Sequence, residues 1–259
     1  MTISEVISLK NKVALVTGAS RGLGRGFAKA LAEAGADLVI TCRHESELSE
    51  TALEIRQMGR EVLSLESDIS DEQQVIKMVE ETVKRFGKVD ILVNNAAKMR
   101  VDKSPEATSL EEWKSVLDTN VSGPFMCSKE VAKVMKGQKS GKIINVCSMS
   151  GYIVNKYFHG GSYEVSKSAL AMMTKALAIE WAPYNINVNA IAPGYYYTEP
   201  NELFFKKEPD LYEKITEMIP LKKLGNVEQL SYLVMCLASK IADYMTGSVV
   251  IIDGGYTLW

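Results

Sequence analysis

The sequence predicts an α/β protein in which helices flank a seven-stranded parallel β-sheet, folded as one doubly wound domain over residues 1–259. Short apolar segments alternate with longer segments that carry apolar residues at helical spacing along nearly the whole chain. The short segments are apolar throughout, which is typical of parallel strands buried on both faces. Since no linker rich in proline, serine or glycine interrupts the alternation, we expect a single domain.

The expected elements follow the chain in a regular order. A strand at 13–17 leads through a glycine-containing turn into a helix at 23–34. Six more strands, separated by helical segments, are expected at 38–42, 62–65, 91–94, 143–146, 187–191 and 249–252. The segment from Gly194 to about Pro209 departs from the alternation, and we expect an irregular substrate loop there.

Composition argues against several classes of protein. A hydrophobic content of 46% with 24% charged residues is typical of a soluble globular protein. The net charge of -2 provides no broad field for nucleic acid or an anionic membrane, so we expect neither partner. No apolar segment approaches the ~18 residues that a membrane span requires, and the N-terminal MTISEVISLKNK lacks the apolar core of a signal peptide. We therefore expect a cytoplasmic protein.

Cysteine and histidine residues predict no metal site. The four cysteines form no CxxC pair, and the two histidines are isolated in the sequence. Cys42, Cys127 and Cys147 lie in apolar stretches, which favours reduced, buried thiols.

The turn after the first strand, TGASRGLGRG, is rich in glycine. Glycine lets a backbone approach a pyrophosphate closely, and the helix that follows offers free amides and its positive end. The turn therefore predicts a dinucleotide site, and the alternative is a tight strand-to-helix turn without a ligand. The contacts expected from it are Gly18, Ser20, Arg21, Gly22, Leu23 and Gly24.

The end of the second strand predicts which dinucleotide binds. An acidic residue there usually binds the ribose hydroxyls of NAD, whereas a basic residue nearby favours the 2′-phosphate of NADP. Cys42 takes the place of the acid, Arg43 follows it, and Arg21 lies in the glycine turn. Two guanidinium groups suit a phosphate, so we expect NADP(H); the alternative is a pair of solvated surface arginines.

Two further segments follow predicted strands. Asp68, next to Ile69, is placed either to accept a hydrogen bond from the adenine amino group or to cap the next helix. In VNNAA, the amides of Asn94 and Asn95 are expected to bond neighbouring strands and, with Ala96, to form the floor of the adenosine site.

Tyr163 and Lys167 are four residues apart in a long helical segment and therefore share one helix face. A tyrosine hydroxyl is a poor proton donor at neutral pH, and a cation nearby stabilises its phenolate. The pair thus suits acid–base chemistry, although the same spacing alone is also typical of a solvated helix face.

The motifs occur in a fixed order along the chain: TGASRGLG, VNNAA, Asn120 in DTNVSG, Ser148 in INVCSMSG, Tyr163 with Lys167, and Pro193-Gly194 in AIAPG. In this combination the chain resembles the short-chain dehydrogenase/reductase family, from about Lys10 to the final DGGYTLW. The resemblance implies a Rossmann-type fold and an alcohol or carbonyl substrate that reacts with a nicotinamide cofactor.

The resemblance also implies a role for each catalytic residue. Ser148 would hydrogen-bond the substrate oxygen, and Tyr163 would transfer the proton. Lys167 would hold the nicotinamide ribose and favour the tyrosinate, while Asn120 would support a water relay. Ser150 is the alternative for this role. We prefer Ser148 because Ser148 stands three residues before Gly151, at the end of the fifth strand.

The family pattern extends to the nicotinamide end and to assembly. The residues expected to border the nicotinamide are Pro193, Gly194 and Thr198. Relatives pair through the helices that correspond to 113–135 and 163–181, which implies a homotetramer. The chain departs from the pattern at Ala97, where glycine is commoner, and by about two extra residues around 156–161, which should reshape the substrate wall.

Within the family, Arg100, PGYYYTEPNELF and DGGYTLW most resemble gluconate 5-dehydrogenases and related sugar-acid or polyol reductases. This implies a sugar acid, ketose or polyol bound by Ser148, Tyr163, Tyr195 and Arg100, unless Arg100 is a solvated loop residue. The alternatives are a 3-oxoacyl-carrier-protein reductase, a hydroxysteroid dehydrogenase, and a catalytically silent NADP(H)-binding protein.

Overall fold

The computed structural model describes residues 2–99, 103–157 and 161–259. Seven strands form a sheet in the order β3-β2-β1-β4-β5-β6-β9, and every neighbouring pair is parallel, which confirms the predicted sheet. The strands are β1 (Val13–Thr17), β2 (Asp37–Cys42), β3 (Val62–Glu66), β4 (Ile91–Asn94), β5 (Gly141–Val146), β6 (Ile186–Pro193), β7 (Tyr196–Tyr197), β8 (Gly225–Asn226) and β9 (Val249–Ile252). The short strands β7 and β8 pair with each other beside this sheet.

Helices cover both faces of the sheet. They are α1 (Ile3–Ile7), α2 (Gly22–Glu33), α3 (Ser49–Gln57), α4 (Glu72–Phe86), α5 (Leu110–Leu117), α6 (Gly123–Gln138), α7 (Ser162–Trp181), α8 (Glu199–Lys207), α9 (Pro209–Met218) and α10 (Val227–Ala238). Within the described ranges, none of them is long and apolar enough to cross a membrane.

The order of the strands reverses between β1 and β4. The chain runs outward from β1 to β3, returns to β4 on the other side of β1, and then continues outward to β9. Helices that follow strands on the two sides of such a reversal diverge, which leaves a crevice at the carboxyl ends of the strands. The fold therefore places its ligand cavity at the ends of β1 and β4.

Three apolar clusters make up most of the core. The first packs α2 and α10 on one face of the sheet, and the second packs α4, α6 and the end of α7 on the other face. The inner strand β1 is buried at every residue, whereas the edge strands β3 and β9 are only partly buried. The third cluster lies at the substrate end and contains Met149, Phe205, Ile215, Ile219, Leu224 and Tyr256.

The prediction of an irregular loop at 194–209 was wrong. The segment forms strand β7 and helix α8. The proline in the first turn of α8 is compatible with a helix, because amides there have no partner within the helix. Acidic residues in the first turn and Lys206 and Lys207 in the last turn complement the helix dipole.

Asp90 joins β1 to the segment before β4 at the amino-terminal edge of the sheet. Its carboxylate binds Lys12 at 2.8 Å and Lys88 at 2.9 Å, and it accepts the amide of Val13 at 2.9 Å. Burial opposes the charged form, but these hydrogen bonds outweigh it and hold the pKa of Asp90 below its ordinary value.

We expect Asp90→Asn to lower the free energy of unfolding by about 1–3 kcal/mol at pH 7, because it removes hydrogen bonds to a charged group. The folded pKa lies below the unfolded value, so this contribution is present above about pH 4 and is lost as pH falls through the folded pKa. Urea denaturation from pH 7 to pH 3 tests both points. Asp243→Asn is the control, because its side chain is 65% exposed in its pair with Lys142 and should contribute under about 1 kcal/mol. Equal losses in the two variants would contradict the prediction.

Candidate active site

A cavity of about 750 Å³ opens at the carboxyl ends of the strands and extends to both sides of the β1–β4 reversal. It is large enough for a dinucleotide with part of a substrate. Most of the predicted site residues line it, namely Gly18, Ser20, Arg21, Gly22, Leu23, Gly24, Arg43, Asp68, Ile69, Asn95, Ala96, Ser148, Tyr163, Lys167, Pro193, Gly194 and Tyr195. The structure thus brings together residues that are up to 177 positions apart, from Gly18 to Tyr195.

The glycine turn has no room for side chains at its closest point. A Cβ added at Gly24 would lie 2.2 Å from the carbonyl oxygen of Gly18 and 2.4 Å from Nδ2 of Asn95. That Asn95 nitrogen donates to the carbonyls of Thr17 and Gly18, both at 2.9 Å, so the predicted backbone role of Asn95 is confirmed. Helix α2 then begins at Gly22 with no acidic residue in its first turn. Its free amides and positive end fit the phosphates of a dinucleotide.

The far end of the cavity carries mixed charge. Cys42 donates to the carbonyl of His44 at 3.0 Å, and burial raises the pKa of its thiol. Arg21 and Arg43 line the cavity beside it, as predicted, but Glu47 also lines this end and was not identified from the sequence. A 2′-phosphate would face two guanidinium groups and one carboxylate there.

Asp68 does not cap the helix that follows it. Asp71 is the N-cap of α4 and accepts the amides of Gln73 and Gln74. Asp68 instead accepts the amide and the hydroxyl of Ser70, at 2.9 and 2.6 Å, while it lines the cavity. The capping alternative is therefore wrong, and the adenine contact stays a prediction.

Helix α7 brings the tyrosine and the lysine to the cavity on one face. Nζ of Lys167 lies 5.6 Å from the centre of the Tyr163 ring and donates to the carbonyl of Val146, at the end of β5, at 2.8 Å. Lys167 is only 2% exposed, and burial lowers its pKa to about 8. The ammonium therefore remains the main form at pH 7.

Strand β5 delivers two serines to the same wall. Ser148 follows β5 and caps a short 3-10 turn, Met149–Gly151, by accepting the amide of Ser150 at 3.1 Å. Ser150 is buried in that turn, and its Oγ accepts a hydrogen bond from Nδ2 of Asn155 at 2.6 Å. Both serines line the cavity.

Asn120 lies behind the cavity wall. It is in a single π-helical turn, Asp118–Ser122, a form that often marks functional sites. Its side chain exchanges two hydrogen bonds with the backbone of Lys98, at 2.7 and 2.9 Å, and donates to Ser166 at 3.0 Å. Since its side-chain atoms bond to protein groups, Asn120 holds the start of α7 in place, and its part in a water relay stays a prediction.

Thr198 is not among the described residues that line the cavity. Thr198 lies near the glycine turn, because a Cβ added at Gly22 would be 3.8 Å from the Cβ of Thr198. Arg100 falls outside the described residues. Conversely, the polar residues Lys98, Asn155, Glu164 and Asn201 line the cavity and were not identified as site residues. Only Lys98 had a signal in the sequence, because it directly follows VNNAA.

Comparison with known proteins agrees with this geometry. A family model described as Enoyl-(Acyl carrier protein) reductase matches residues 18–257. A structure described as a short-chain type dehydrogenase/reductase from Mycobacterium marinum is 38% identical, with a TM-score of 0.93 over 99% of each chain. The chain belongs to the short-chain dehydrogenase/reductase family. It is therefore an oxidoreductase of the class that acts on CH–OH groups with a nicotinamide cofactor.

Members of the family with named sugar-acid activities are also similar. The 2-dehydro-3-deoxy-D-gluconate 5-dehydrogenase of Dickeya dadantii (strain 3937) is 40% identical over 259 residues, 98% of each chain. A gluconate 5-dehydrogenase from Burkholderia cenocepacia J2315, solved in complex with NADP and tartrate, is 32% identical. Its TM-score is 0.92 over 100% of each chain.

The buried lysine predicts a specific pH dependence of stability. The pKa of Lys167 is about 8 in the folded protein, whereas an ordinary lysine, as in the unfolded chain, has a pKa of 10.5. Between these two pH values the unfolded chain binds more protons than the folded protein, so the free energy of unfolding rises with pH. We expect the free energy of unfolding of the wild type to rise relative to Lys167→Met by about 3 kcal/mol from pH 8 to 10.5.

Denaturant unfolding of both proteins across this range measures the difference. Lys175→Met, which removes an exposed lysine from the same helix, is the control and should run nearly parallel to the wild type. Parallel curves for Lys167→Met and the wild type would show that the lysine has no burial penalty.

Proposed function

We propose that the protein is an NADP(H)-dependent oxidoreductase that interconverts a secondary alcohol and a ketone on a sugar acid, ketose or polyol. The observation that carries the proposal is the convergence of Ser148, Tyr163 and Lys167 on one cavity that also contains the glycine turn. A protein that only bound the dinucleotide would have no need for this set of proton-donating groups.

The roles follow from the chemistry of each side chain. When bound, the cofactor supplies or accepts a hydride. Ser148 donates a hydrogen bond to the substrate oxygen, and Tyr163 gives that oxygen its proton during reduction. Lys167 uses one of its three hydrogens on the carbonyl of Val146, which leaves two for the nicotinamide ribose and the tyrosine hydroxyl.

Backbone at the ends of β6 and β9 supports the predicted nicotinamide border. A Cβ added at Gly194 would lie 2.7 Å from the Cα of Asp253, so only glycine fits at this turn. Pro193 and Gly194 can therefore form a close wall for the nicotinamide ring, with Thr198 near its carboxamide.

The substrate proposal rests on polar side chains at the reaction end. Lys98, Asn155, Tyr195 and Asn201 line the cavity, and a polar lining of this kind suits a polyhydroxylated chain. Two related proteins with sugar-acid names favour the same class. Arg100 remains the proposed carboxylate anchor because it follows β4 in the sequence, and ligands of such sheets bind at the carboxyl ends of the strands.

A 3-oxoacyl-carrier-protein reductase is the second candidate, since a protein of that name from Synechocystis sp. is 35% identical over 254 residues. An acidic carrier protein would need a basic surface near the cavity. Lys206 on α8 is paired with Glu202 at 2.8 Å, which weakens the basic surface there. A panel of keto-gluconates, ketoses, acetoacetyl thioesters and ketosteroids, followed by NADPH oxidation, separates these activities and the hydroxysteroid alternative.

We expect Tyr163→Phe to reduce kcat by roughly 10²- to 10⁴-fold, because it removes the proton donor and little else. NADPH affinity, measured by fluorescence titration, should stay within about twofold. Tyr152→Phe is the matched control, since Tyr152 is 46% exposed and does not line the cavity. Retention of most activity by Tyr163→Phe would contradict the mechanism.

We expect Arg43→Glu to lower kcat/KM with NADPH by about 10- to 100-fold, because a charged hydrogen bond to the 2′-phosphate is lost. The value with NADH should change much less. Arg56→Glu, an exposed change on α3, controls for altered surface charge. A wild-type enzyme with a higher kcat/KM for NADH than for NADPH would overturn the proposed cofactor.

The homotetramer stays a prediction. Exposed apolar side chains on the helices expected to pair, Phe125 at 44%, Met172 at 64% and Ile179 at 80%, support it. Light scattering at micromolar concentration distinguishes a tetramer from a monomer.

A further inference from the structure

The cavity wall that carries Ser148 also carries a second serine hydroxyl. Ser148 is 9% exposed and Ser150 is 7% exposed, and both line the cavity. They belong to the same short turn, and the amide of Ser150 donates to Oγ of Ser148 at 3.1 Å. The two hydroxyls are therefore linked through one backbone group and lie close together.

Asn155 controls the direction of the Ser150 hydroxyl. This asparagine is 4% exposed, and its Oδ1 accepts the hydroxyl of Tyr195 at 3.4 Å, which turns Nδ2 toward Ser150. Nδ2 donates to Oγ of Ser150 at 2.6 Å. A serine hydroxyl has one hydrogen besides its acceptor sites, so the hydrogen of Ser150 must point away from Asn155. No residue in the described ranges accepts it.

We propose that Ser150 donates this hydrogen bond to a substrate oxygen on the carbon next to the reacting carbonyl. The site then selects α-hydroxy ketones and vicinal diols, with Asn155 as the positioning residue. The inference rests on the proposed function, in which Ser148 and Tyr163 bind the reacting oxygen. Ketoses, polyols and hydroxylated sugar acids have an oxygen on such a carbon, whereas a 3-oxoacyl thioester has a methylene on either side.

The Ser150 hydroxyl is a largely buried hydrogen-bond donor. A substrate with a methylene at this place leaves the hydrogen of the largely buried Ser150 hydroxyl without an acceptor on the substrate. Sites built to hydrogen-bond a hydroxyl discriminate against analogues that lack it more strongly than apolar pockets discriminate by size. Ser150 therefore acts on the choice of substrate, whereas Ser148 acts on the chemical step.

Reduction of 1-hydroxy-2-hexanone and of 2-hexanone by NADPH tests this role. These ketones differ only in the hydroxyl on the neighbouring carbon. Ser150→Ala should lower kcat/KM about tenfold for the hydroxy ketone and leave 2-hexanone within about twofold. Ser150→Thr, which keeps a hydroxyl, should retain most of the preference. Ser148→Ala should lower both values alike.

Asn155→Asp provides an independent variant of nearly the same size. A carboxylate has no hydrogen to donate to Ser150, so it accepts the serine hydrogen and turns it away from the substrate. We expect the same selective loss as with Ser150→Ala, without a change at Ser150 itself. If Ser150→Ala does not fold, as judged by circular dichroism and NADPH binding, Asn155→Asp decides the question.

The outcomes separate the two levels of the proposal. If one of the two ketones is not turned over measurably, both are compared as inhibitors of an accepted substrate. The ratio of their Ki values then gives the preference for the hydroxy ketone. Equal losses on both ketones in Ser150→Ala and Asn155→Asp, or no loss on either, would overturn the role of Ser150. Failure of every ketone in the panel to react or bind would instead overturn the proposed function.

Discussion

The geometry of the site depends on two hydrogen bonds from one side chain. The amide of Asn95 donates to the carbonyls of Thr17 and Gly18, which joins the end of β4 to the start of the glycine turn. This junction lies where the strand order reverses, and the absence of a side chain at Gly24 is what allows the contact. The amides of the glycine turn and the loop that leads to Lys98 therefore have fixed relative positions. Displacement of any one of these groups would alter the distance from cofactor to substrate.

The sequence was sufficient for the sheet because each strand is a short, largely apolar segment bounded by polar or glycine-containing turns. All seven strands of the sheet lie within two residues of their predicted bounds. The sequence was not sufficient for α8, where a proline and adjacent aromatic residues resemble a loop and only the charges at the helix ends indicate a helix.

Some residues of the candidate site could likewise be predicted from the sequence, and others could not. The glycine turn and the tyrosine–lysine pair are local patterns, so they could be recognised without a structure. Asn155 could not be, because its partner Tyr195 is 40 residues away and becomes a neighbour only through tertiary packing. Glu47 was missed although it is only four residues from Arg43, because nothing in its local sequence shows that it lines the cavity.

The third core cluster has a consequence for how such enzymes diversify. It packs α8, α9 and Tyr256 against Met149, apart from the two clusters that stabilise the sheet. Met149 lies between the two serines of the cavity wall, so repacking this cluster changes the reaction end without loosening the strands. Substitutions in this cluster would therefore reach the cavity wall without touching the apolar contacts that pack the helices on the sheet. A lineage can explore new substrates through a small apolar unit while its nucleotide-binding scaffold remains the same.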